Sequence, residues 1–87
     1  MSRKTLLTFP AEFPIKVMGP HASNLLALTT VIVERHAGTL DPERIRQRSS
    51  SDGNFLAITY VVTAKSQNQL DDIYRELTAC EAVLMAL

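Results

Sequence analysis

The chain has 87 residues, 46% hydrophobic and 21% charged, with Lys+Arg and Asp+Glu both at 9. A chain of this size builds one modest core, and this apolar share excludes a disordered polymer. Balanced charge excludes the global basic excess of many nucleic-acid binders, and a single cysteine, Cys80, excludes an internal disulfide and fits a reducing compartment. No apolar run approaches the length that spans a bilayer, about 20 residues. The run Thr5–Phe9 is broken by Pro10 too soon to be a signal-peptide core. One cytoplasmic domain over residues 1–87, with no membrane segment, is the expectation.

Residues 1–12 read as an irregular lead-in interrupted by Pro10, with Leu6, Leu7 and Phe9 apolar enough to dock on the domain. Phe13–Met18 alternates as a first strand: Phe13, Ile15 and Val17 share one face, and Lys16 and Met18 point to the other. Gly19-Pro20 is expected to end it. A helix follows from Ser23, a plausible N-cap, to His36. Its stripe contains Leu25, Leu28 or Thr29, Ile32 and His36, widened by Leu26 and Val33, and Ala37-Gly38 stops it.

Glu43–Ser49 alternates with one core-sized apolar residue, Ile45, which predicts a short, charged edge strand. That parity puts Arg44, Arg46 and Arg48 together on the opposite face. Ser50–Gly53 makes a hairpin into Gly53–Ala64, the strongest strand signal in the chain, with Ile58, Tyr60 and Val62 alternating against Ala57, Thr59, Val61 and Thr63. Ser66–Leu77 is a helix opened by a Ser66/Gln69 capping box, with Leu70, Ile73, Tyr74 and Leu77 at i, i+3, i+4, i+7. Cys80–Leu87 is a last strand, with Val83, Met85 and Leu87 on the core face and Leu84 and Ala86 on the other.

The order β-α-β-β-α-β, folded with two right-handed crossovers, predicts an α+β, ferredoxin-like sandwich. Its four-stranded antiparallel sheet has the order 4-1-3-2, with both helices on one face.

Several stretches carry a family likeness: Phe9-Pro10, Phe13–Gly19, Arg35–Ala37, Ser50-Ser51, Gly53–Phe55, Ile58-Thr59, Leu70, Ile73-Tyr74, Glu76-Leu77 and Val83–Met85. Together they resemble the YbeD-like bacterial proteins of unknown function, over about Phe9 to Leu87. The resemblance implies a small cytosolic domain similar to the ACT regulatory domains that sense amino acids, and it brings no catalytic residues. Leu84 departs from the polar residue expected there, which makes the open face more apolar.

Catalytic and metal chemistry find little support. With no C-x-x-C, the soft ligands are His21, His36 and Cys80. His36 reads as a helix-end or packed histidine, and Cys80 as a small core residue beside Glu81. No nucleophile, base and orienter recur at a known spacing, so no catalytic residue, metal or cofactor is assigned. Gly19-Pro20 precedes a helix N-terminus, where free amides can hold an anion, but a lone glycine there reads first as a turn. Asp71, Asp72 and Glu12 read as solvated acids.

The remaining feature is the face of the sheet away from the helices. Lys16, Met18, Arg44, Arg46, Arg48, Thr59, Val61 and Leu84 form the candidate interaction surface. Edge arginines also deter strand-to-strand aggregation. The preferred reading is a non-catalytic regulatory or protein-interaction module, with dimerisation through its sheet and ACT-like sensing of a small molecule as its two open forms. The alternative, RNA binding through the arginines, is disfavoured because the central strands lack a stacking platform of aromatics.

Overall fold

The computed structural model describes residues 8–21 and 23–87. Its elements run β1 (Ala11–Pro20), α1 (Leu25–Ala37), a 3-10 turn (Pro42–Arg44), β2 (Ile45–Ser49), β3 (Phe55–Ala64), α2 (Gln67–Ala79) and β4 (Met85–Ala86). The strands form one antiparallel sheet in the order β2-β3-β1-β4, the expected ferredoxin-like arrangement. The expected docking of Leu6 and Leu7 falls outside the described residues.

Period-2 alternation gives β1 and β3 their two faces. Ile15, Val17, Ile58, Tyr60 and Val62 are wholly buried and join Leu25, Ile32 and Val33 of α1 and Leu70, Ile73 and Leu77 of α2 in one core. Each such side chain removed from water contributes about 1.5–3 kcal/mol. Both helices therefore lie on the same side of the sheet.

Within this core the Tyr60 hydroxyl lies 2.6 Å from Thr29 Oγ1 and 2.8 Å from Thr30 Oγ1. Thr29 already donates to the Leu25 carbonyl at 2.8 Å, so Tyr60 donates to Thr29 and accepts from Thr30. That bond settles the open choice on the helical stripe: Thr29 is buried, and Leu28 is 44% exposed.

Helix α2 begins as its sequence predicts. Ser66 Oγ accepts from Gln69 N at 3.1 Å, satisfying a free amide of the first turn. The Gln69 side chain reaches back to Lys65 N and also donates to His36 O at 2.9 Å, which ties the start of α2 to the end of α1. Gly38 stops α1 with φ of 82°, its N–H bonding Glu34 O.

Three boundaries around β1 and the start of α1 differ from expectation. First, β1 includes Ala11 and Glu12, which were read as lead-in, because both pair with the end of β3 (Ala11 with Ala64, Glu12 with Thr63). Second, Gly19-Pro20 ends β1 from within it, the two residues pairing with Leu56 and Phe55 rather than following the strand. Gly19 serves close approach instead: a Cβ there would stand 2.2 Å from the Ala82 carbonyl oxygen. Third, the longer strand keeps Ser23 in the turn, where its hydroxyl donates to Pro20 O at 2.6 Å, and α1 starts after Asn24 without a side-chain cap.

Candidate functional site

On the face away from the helices, register places residues in rows across the strands. Lys16 and Arg46 flank Thr59 from either side in one row, and Met85, Met18, Ala57 and Arg48 make the next. Strands stand about 4.8 Å apart and alternate residues about 6.8 Å along, so these two rows form a compact patch. Lys16, Arg46, Arg48, Ala57 and Thr59 line one depression of about 440 Å³. Met18, Arg48, Phe55 and Ala57 line an adjoining one of about 430 Å³, together with the hairpin serines. Arg48 and Ala57 border both, so the two depressions lie side by side and mark a shallow groove along β3.

The structure thus brings together Lys16, Met18, Arg46, Arg48 and Thr59, with Val61 half-buried further along the same face. Among the described residues Lys16, Arg46 and Arg48 make no salt bridge.

Arg44 departs from this group. It sits in the 3-10 turn before β2, not in the strand, because Pro42 starts a helical turn. Its guanidinium donates to Glu12 Oε1 at 2.6 Å and to the Val61 carbonyl at 3.1 Å. Glu12 in turn accepts from Thr63 Oγ1 at 2.7 Å. These bonds, that of Thr63 foremost, hold the Glu12 carboxyl below its ordinary value, and Glu12 raises the pKa of Arg44. Glu12 is therefore an exposed acid that is paired rather than single, and the charge of Arg44 is engaged in that pair.

The last strand also differs. Cys80 does not open it; this half-buried residue ends α2 and packs against the core, and β4 is only Met85–Ala86. Its faces are the reverse of those expected: Ala86 pairs with Val17 and packs on the core, whereas Met85 pairs with Met18. Lys16 and Leu87 exchange backbone bonds at 3.0 and 2.8 Å, but Met18 O accepts from Leu84 N at 2.8 Å, one residue short of the regular partner. Leu84 is thus 63% exposed just before the strand, and Met85, 49% exposed on this edge strand, takes the open-face position beside Met18. Met85 was missed because every residue from Ala82 to Leu87 is apolar, so alternation carries no signal there.

His36 lies near the end of α1, as expected, but its partner is a carboxylate: Nε2 is 2.9 Å from Glu76 Oε2, and Arg35 binds the other oxygen of Glu76. That cluster clamps the two helices. Among the described residues no group of three or more His, Cys, Asp or Glu is placed to hold a metal, and no helix is long and apolar enough to cross a membrane. Gly19, fully committed to β1 and buried, does not cradle an anion.

Residues 4–87 match the family model described as "Protein of unknown function (DUF493)". The chain belongs to this family. A UPF0250 protein of Leptothrix cholodnii is 40% identical over 84 residues, covering 97% of this chain and 92% of that one. One from Paraburkholderia phymatum is 38% identical over 84 residues, covering 97% and 94%. Another, from Chromobacterium violaceum, is 40% identical over 85 residues, covering 98% and 96%. No solved structure matches the chain significantly. The YbeD-like resemblance is thereby upheld, and this family's function is uncharacterised.

Proposed function

We propose that this protein is a cytoplasmic, non-catalytic interaction module that takes up a protein partner on the uncovered face of its sheet and regulates through that occupancy. One observation carries the reading: Lys16, Arg46 and Arg48 stand around a floor of small residues, Ala57 and Thr59, and none of the three joins an ion pair among the described residues. Cations whose only role is edge protection need not converge across three strands. The depressions are open rather than enclosed, which favours a macromolecule over the buried small ligand of an ACT-like sensor. A second copy of the chain is one such partner, and nucleic acid is the weaker reading because the floor lacks stacking aromatics.

The test is in-cell photo-crosslinking from a benzophenone amino acid at Thr59, on the open face, compared with one at Asp71, on α2. A discrete adduct specific to Thr59 is the expected result. Identical profiles from both positions, or no adduct from Thr59, would overturn the reading. An adduct of twice the protomer mass identifies the partner as a second copy.

A further inference from the structure

The open face is divided in charge, and the division has a direction. At the Thr59 row, Lys16 and Arg46 flank the floor; at the Ala57 row, Arg48 stands on one side and Met18 with Met85 on the other. At the far end Phe55 is 44% exposed, and Met85 is 49% exposed. The groove therefore begins between two cations and ends with Met18, Met85 and Phe55 at its apolar side, Arg48 and the hairpin serines bordering it on the β2 side. From Thr59 to Phe55 it runs about 13 Å along β3, the rise of about nine residues of α-helix.

The backbone of this floor offers nothing to a ligand. β3 is central, and from Leu56 to Tyr60 it is paired with β1 on one side and β2 on the other. Only side chains are presented, so an occupant with its own backbone bonds already satisfied fits best, which is the helix-in-groove mode of recognition. Acids at i and i+4 of such a helix stand about 6 Å apart along its axis, close to the Arg46–Arg48 separation of about 6.8 Å.

We infer that this groove receives an acidic amphipathic helix of a partner protein, with Lys16, Arg46 and Arg48 meeting its carboxylates and Met18, Met85 and Phe55 its apolar side chains. The inference rests on the open face being the binding face. Charge complementarity selects this occupant over the others within the chain. Residues 1–7 carry Arg3 and Lys4 and no acid. In a second copy, α2 offers Asp71 and Asp72, but its apolar residues Leu70, Ile73 and Leu77 are buried in its own core. RNA would find cations but a single exposed aromatic at the groove's end, too little for successive base stacking.

The test titrates isotope-labelled protein with three designed helical peptides and an oligouridine RNA, following the backbone amide shifts. The first peptide carries Glu at i and i+4 on one flank and Leu and Phe on the other; the second replaces Glu by Gln, the third by Lys. The expected result is shifts at Lys16, Arg46, Arg48, Ala57 and Thr59 with the Glu peptide. Its affinity should be at least about tenfold above that of the Gln peptide, a gap of about 1.4 kcal/mol. Arg46→Glu/Arg48→Glu protein, checked for fold by circular dichroism, should lose the Glu peptide and gain the Lys peptide.

Equal binding of the Gln peptide overturns the acidic requirement while leaving the face a binding face. RNA shifting the same amides more strongly than the Glu peptide also overturns it. Shifts by the Glu peptide confined to the helices, or absent, overturn it too, and the Thr59 crosslink then decides separately whether the face binds anything.

Discussion

Ile58 and Thr59 are adjacent in β3, yet their surroundings have nothing in common. Ile58 is wholly buried under both helices, while Thr59 lies between Lys16 and Arg46 on a face that nothing in the fold covers. On the helix side, shape and apolarity account for the residues present: Ile15, Val17, Tyr60 and Val62 fill space that would otherwise cost stability. On the open side packing constrains the residues far less: Ala57, Thr59 and Val61 stay partly exposed, with Lys16 and the β2 arginines beside them. The covered side of the strand serves the core, and the uncovered side is the one proposed above to receive a partner.

Substitution tests that contrast directly. Ile58→Ala should cost about 2–5 kcal/mol through lost burial and a residual cavity, whereas Thr59→Ala should stay within about 0.5 kcal/mol. Urea denaturation measures both, and similar losses would erase the distinction between faces. Gly19→Ala comes next, at about 1–3 kcal/mol, because the new methyl meets the Ala82 carbonyl and Leu25 rather than space. An unchanged midpoint would show that the turn before β4 yields easily.

Tyr60→Phe keeps the covered face apolar but removes the hydroxyl shared by Thr29 and Thr30, for about 1–2 kcal/mol. Burial raises the Tyr60 pKa, so its contribution is complete below about pH 10 and is lost as pH rises through the higher folded value. The variant should therefore show a flatter alkaline limb in thermal melts; an identical limb would mean another group controls it.

Effects on the open face should be smaller. Glu12 is held below its ordinary pKa by Thr63 and Arg44, so its contribution is complete above the usual carboxylate range and fades as pH falls through the depressed folded value. Glu12→Gln should blunt the acid limb below about pH 4 with little change at neutrality, as acid titration of the melting temperature would show. Smallest of all, Arg46→Glu with Arg48→Glu should leave the melting temperature unchanged. A clear loss would mean that these arginines serve the fold, and the division between the faces would fail.

Much of this was legible in the chain itself. The alternation of β3, the Ser66 cap of α2 and the glycine stop of α1 are local signals, each decided within a few residues, and each is found in place. Lys16, Arg46 and Arg48 share a face because parity within a strand is a local property too. Arg44 was assigned by the same parity, but Pro42 turns the backbone before the strand begins, and the Glu12 carboxylate takes up its charge. What pairs with Glu12 depends on residues far apart in sequence, which no spacing rule reports.

Sequence alone determined the element order and which residues alternate, because periodicity and capping are properties of neighbouring residues. Only the tertiary structure decided that β1 runs on through Gly19, where the Ala82 carbonyl comes too close for a side chain. It also decided that Met85, not Leu84 or Ala86, stands beside Met18. In Ala82–Leu87 every side chain is apolar, so either face would satisfy the pattern, and hydrogen bonding to β1 alone chooses between them.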